Sequence, residues 1–142
     1  MLSSNEKQQH VKELEVFKKR KFVYPFWHNP RKYKEIAYEN SSKLLENNCE
    51  DEVVNIHSDY GIILDKQLLF NKICMIPLAV AVYLTGSNTD LGGFICAVLC
   101  PLIYMMFDYR IESIKNILDG IKQGIEVYEN DKRIQSIIKN DK

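Results

Sequence analysis

ICMIPLAVAVYL (Ile73–Leu84), TGSNTD (Thr85–Asp90) and LGGFICAVLCPLIYMMF (Leu91–Phe107) follow one another in the chain, and their reading decides the fold. The outer two are apolar runs. The middle one is a polar hexamer with a glycine, ordinary turn chemistry. Together they read as a helical hairpin. The second run holds 17 residues without a charge, while the first reaches 17 only from Leu68 and by accepting Asn71 and Lys72. About 20 apolar residues normally cross a hydrocarbon core, whereas runs of about 10–14 also suit a buried core helix. A boundary lysine can carry its ammonium back to the headgroups, and a short pair is accommodated by bilayer thinning or by oligomerisation. The expectation is an all-α chain: a two-helix transmembrane hairpin, about 68–84 and 91–107, with cytosolic helical extensions before and after.

Within the runs, Pro77 and Pro101 predict kinks, since each lacks a backbone donor and crowds the preceding turn. Gly93, Ala97 and Pro101 fall four residues apart, a ridge of compact side chains that lets a second helix come close. Gly93 and Ala97 are therefore candidate packing positions. Three of the four cysteines, Cys74, Cys96 and Cys100, sit in apolar sequence, where a thiol acts as a small hydrophobe. Two thiols on one apolar face make a poor zinc site without further ligands.

Beyond the hairpin the clearest pattern lies downstream. Ile111, Ile114, Leu118, Ile121, Ile125 and Tyr128 step 3-4-3-4-3, a sustained seam along one helix face. Upstream, Val53, Ile56, Tyr60, Ile63, Gln67, Phe70 and Cys74 make a matching face. A long helix from near Glu52 into the first run is expected, with the two seams leaving the hairpin as an antiparallel pair. Gly120 and Gly124 lie beside the seam, where they lower helicity but permit close contact. A helix over Arg31–Asn48 is expected too, with Pro30 at its start and Asn47–Asn48 at its stop. A short helix is expected to begin over Val11–Phe17.

The formal net charge is zero, yet the charges are segregated. Phe17–Lys34 carries seven basic residues and no acid: Lys18, Lys19, Arg20, Lys21, Arg31, Lys32 and Lys34. Six aromatics, among them Phe26 and Trp27, interleave with them. Cations beside amphipathic rings suit a bilayer headgroup region, so Lys18, Lys19, Arg20, Lys21, Phe26, Trp27, Arg31 and Lys32 are candidate membrane-surface residues. A solvated basic loop packing on its own helices is the plainer alternative; nucleic acid is not an expected partner. Two regions follow: 1–50, polar and basic-aromatic with a short helix, and 51–142, carrying the hairpin and a C-terminal amphipathic helix.

Met1–His10 is polar with no apolar run behind it, so a signal peptide is not expected. The connecting turn has no Lys or Arg while both flanks do, which by the positive-inside rule puts both termini in the cytoplasm of a bacterial inner-membrane protein. Asp90 is then left on the far side, as a turn residue or the mouth of a pore. His10, His28 and His57 lack ligand spacing, no glycine loop resembles a phosphate cradle, and Ser41–Ser42 has no elbow motif. Hence no catalytic, cofactor-binding or metal residues are expected, and no enzyme. The expected role is a non-enzymatic membrane protein working by helix–helix association, an assembly or anchoring subunit. Its partners would be membrane lipids and another membrane protein or a second copy of itself. Two alternatives stand beside it: an oligomeric pore or membrane-perturbing effector of the toxin, immunity or phage-exclusion kind, and a soluble helical binding module.

Overall fold

Ser3 and Glu6 open the first helix by capping each other. The Ser3 N–H donates to Glu6 Oε2 at 2.8 Å, and the Glu6 N–H donates to Ser3 Oγ at 3.3 Å. This reciprocal pair satisfies two of the donors a helix start leaves open. The computed structural model describes the backbone of residues 3–19, 29–86 and 91–140, and the side chains of these except 17, 19, 82, 85–86, 91–97 and 137–140. Among these residues there are four helices: α1 (Ser4–Lys19), α2 (Pro30–Glu46), α3 (Glu50–Gly86) and α4 (Leu91–Asn140). Among the described residues there is no strand.

Each boundary has a local cause. Asn29 caps α2 by accepting from the Lys32 N–H at 3.2 Å, and Pro30 fills the first turn, where its missing donor costs nothing. Asn47 closes α2, and Asn48 turns the chain with φ 59°, a left-handed conformation that asparagine tolerates better than most residues. Cys49 then donates its N–H back to the Leu44 carbonyl at 3.0 Å. Glu50, Asp51 and Glu52 occupy the first turn of α3, where carboxylates favour the positive end of the helix dipole.

Three sets of contacts fix the directions. Gly120 and Gly124 of α4 lie over Ala37 and Ser41 of α2, so these two helices run parallel. Glu50 meets Tyr128 and Lys132, while Phe70 meets Phe107, so α3 and α4 run antiparallel. Lys7 pairs with Glu52 and Lys18 with Asp59, so α1 follows α3. The order is up-down-up-down, with the last two helices continuing past the first two. One core serves all four: Leu14 from α1, Ala37, Leu44 and Leu45 from α2, Val53, Ile56 and Tyr60 from α3, and Ile114, Ile117 and Ile121 from α4. Residues 1–50 and 51–142 therefore share that core.

The first fifty residues hold two helices, of 16 and 17 residues, the first beginning at Ser4 rather than near Val11. The second apolar run and the C-terminal amphipathic segment lie on one helix, α4, of 50 residues and about 75 Å. Pro77 and Pro101 lie inside α3 and α4, which run on through them. The transmembrane hairpin is met only as far as its helices go. Antiparallel helices occupy 68–84 and 91–107, but among the described residues no helix is long and apolar enough to cross a membrane. Asn71 and Lys72 shorten the apolar part of α3, and in α4 the side chains of the run are described only from Val98 onward.

Candidate functional site

α3 and α4 leave the four-helix base together and form an arm. Between Gly61 and Arg110 no described residue is fully buried. Of the 18 exposed large hydrophobic side chains among the described residues, 13 fall between Leu69 and Met105, so the apolar surface is concentrated on the arm rather than scattered. In α3 the half-buried residues Cys74, Leu78 and Ala81 step 4-3 and make a narrow inner seam. Ile73, Met75, Ile76 and Val80 stand outside it, Ile76 with 71% of its surface exposed. In α4 the inner seam is Cys100, Tyr104 and Phe107, and Val98, Leu99, Leu102, Ile103 and Met105 face outward.

A surface helix normally sets a polar face against its apolar stripe. These two segments are apolar on the outer faces as well, and single-copy proteins in water seldom expose contiguous apolar patches beyond a few hundred Å². From Leu68 to Gly86 the arm rises about 27 Å, close to the ~30 Å of a hydrocarbon core. At its root Phe70 and Phe107 meet edge to face, their ring centroids 5.4 Å apart. Asp65, Lys66 and Asp108 are exposed at the same level. Burial there lowers the Arg110 guanidinium below its ordinary value.

The base is where charge is organised. Lys18 Nζ lies 2.6 Å from Asp59 Oδ2 and 3.0 Å from Glu15 Oε1, and 5.9 Å above the Tyr60 ring. Burial pulls its ammonium down, but the two carboxylates outweigh that and leave it raised. At the far end of α3, Glu50 accepts from Tyr128 Oη at 2.9 Å and from Lys132 Nζ, which holds its carboxyl below the usual range. A third element is the cleft between α1 and α2, where His10 Nδ1 lies 2.6 Å from Asn40 Oδ1. The Asn40 amide already donates to the Ile36 carbonyl at 2.9 Å, so its oxygen faces the histidine and Nδ1 carries the hydrogen.

The expected site residues are distributed as follows. Ile111, Ile114 and Ile121 are buried, and Leu118, Ile125 and Tyr128 pack half-buried against the core. The seam thus faces α2 as well as α3. Arg31 and Lys32 stand exposed on the first turn of α2. Lys18 turns onto α3. Arg20, Lys21, Phe26, Trp27 and Asp90, and the side chains of Lys19, Gly93 and Ala97, lie outside the described residues. No group of three or more His, Cys, Asp or Glu able to hold a metal occurs among the described residues.

Sequence reasoning missed the ties from α1 to the rest, Lys7–Glu52, His10–Asn40 and Lys18–Asp59, which join residues 30 to 45 apart. Periodicity carries no signal for such pairs. A signal did exist for the tightest crossing: Ala37 and Ser41 repeat the four-residue spacing of Gly120 and Gly124. Comparison with known proteins finds no matching family, no matching curated protein and no matching solved structure.

Proposed function

We propose that this chain is a non-enzymatic membrane anchor: the α3–α4 arm inserts into a lipid bilayer, and the four-helix base presents a folded surface to a partner. The observation behind this reading is the division of apolar residues. Among the described residues every fully buried hydrophobic side chain is in the base, and most of the exposed ones are on the arm. Removing such a surface from water is favourable by about 25 cal/mol per Å² of apolar area, and hydrocarbon accepts it without needing a shaped pocket. Inside a bilayer every backbone polar group must be satisfied within the chain, and a pair of continuous helices does this.

Orientation follows from loop charge. Lys66 precedes the arm, Lys72 lies in its first turns, and Arg110 and Lys115 follow it, while 85–90 has no cation, so both termini lie on the cytoplasmic side of an inner membrane. Work is done by association through the base, as an assembly or anchoring subunit of a larger membrane complex. The pore reading turns on Asp90, outside the described residues, and enters as an outcome of the test.

The test is purification from membranes in mild detergent, with the mass measured after subtracting the detergent. A stoichiometric complex with another chain is the expected result. A defined homo-oligomer that conducts ions in a planar bilayer would replace the anchor with a pore.

A further inference from the structure

Helix α1 is attached to the base unlike the other three. Among its described side chains Leu14 alone is fully buried, with Val11 half-buried beside it. Its polar ties among the described residues are Lys7 Nζ to Glu52 Oε1 at 2.8 Å, His10 to Asn40, Lys18 Nζ to Asp59 Oδ2 at 2.6 Å, and Tyr60 Oη donating to the Leu14 carbonyl. Both interhelix ion pairs put a lysine on α1 and a carboxylate on α3. Three of the four charged groups have about two-fifths or more of the side chain in solvent, Lys18 being the exception at 17%. Pairs of this kind are weakened by dissolved salt, whereas apolar burial is not.

A second observation lies beneath α1. The other carboxylate oxygen of Glu52, Oε2, is buried and has no hydrogen-bond partner. Glu52 lines a crevice together with Ser4, Lys7, Gln8 and Val11 of α1. A carboxylate oxygen that has lost water and gained nothing opposes docking, and water returns to it when α1 leaves. By contrast α2 and α4 cross so tightly that glycine is needed at two positions, and α3 is tied to α4 along its length.

We propose that α1 is a releasable clasp. It is a helix held to the acidic side of α3 by Lys7–Glu52 and Lys18–Asp59, and it lets go as ionic strength rises while α2, α3 and α4 stay packed. Release bares a groove with an apolar floor where Leu14 sat, bounded by Ala37, Tyr60 and Ile117, and an acidic rim of Glu52 and Asp59. The base thus has a closed form and an open form that differ in one removable helix. Isolated helices of this length are marginal in water, so an undocked α1 also frays, and its amides report the opening.

The experiment is hydrogen exchange read by mass spectrometry on the full chain in an uncharged detergent, at about 0.02 M and about 0.5 M sodium chloride. Amides of 4–19 are expected to exchange roughly three- to tenfold faster at high salt, while those of 111–125 keep their protection. A Glu52→Gln, Asp59→Asn double variant is expected to show the faster α1 exchange already at low salt and to lose the salt response. Salt-independent exchange of α1 in the unaltered chain would overturn the proposal. So would loss of protection in 4–19 and 111–125 together, since α1 would then open only with the whole base.

Discussion

Gly120 decides how closely α2 and α4 approach. A Cβ there would collide with the Lys34 carbonyl oxygen and stand 2.9 Å from Ala37 Cβ, with the Tyr38 nitrogen at 3.1 Å. Two of these three are backbone atoms, so no side chain can swing aside. On an isolated helix Gly→Ala would stabilise by about 1 kcal/mol. Here overpacking of about 1–3 kcal/mol outweighs it, and Gly120→Ala is expected to lower the urea midpoint. Gly61 is the internal control, since a Cβ there meets nothing within 4 Å. Gly61→Ala is expected to raise the midpoint, and a rise with Gly120→Ala would refute the close crossing. Glu50 sets an acid limit in the same way. Its pKa is lowered by Lys132 and then Tyr128, so its contribution is complete above the unfolded value and vanishes as pH falls through the lower folded one. The urea midpoint should therefore fall less for Glu50→Gln than for the unaltered chain between about pH 7 and about pH 3. Equal falls would show that the Glu50 tie carries no stability.

At the level of elements, the arm and the base answer differently to the same kind of change. Replacing Ile76, exposed and remote from every core residue, by aspartate is expected to leave helicity and the thermal midpoint of the base within error. The same change puts a charge well inside the apolar segment, at about 2.5–3.5 kcal/mol in a bilayer, and should shift the protein out of the membrane fraction. Ile114→Ala should do the reverse, costing about 2–5 kcal/mol of base stability without altering the arm. Much of this division was legible in the sequence. The 3-4 steps of Ile111, Ile114, Leu118 and Ile121 identify a seam, and the uncharged Leu91–Phe107 run identifies the arm. The pairing of the seam with the face of α3 was read from the matching steps, but its second cover, α2, was not. Periodicity shows that a face is apolar, but α2 is chosen by shape: glycines at 120 and 124 opposite Ala37 and Ser41. The start of α1 at Ser4 was missed, because its capping box of Ser3 and Glu6 lies in a polar stretch with no apolar period to mark it.

For the whole molecule, the segregation of apolar side chains ties the fold to the proposed role. A base with a shared core can remain folded whether or not the arm is covered, so the hairpin is free to be shaped for a different solvent. The basic-aromatic stretch from Lys18 to Lys34 is only partly placed: Lys18 serves the base, and Arg31 and Lys32 point into solvent at the start of α2. The claim that the arm lies in lipid is tested most directly by alkaline carbonate extraction of membranes from cells making the full chain. Retention in the bilayer pellet, with release only by detergent, is the expected result. Quantitative release into the supernatant, with helicity intact and no detergent present, would contradict it and leave the arm to be covered by protein.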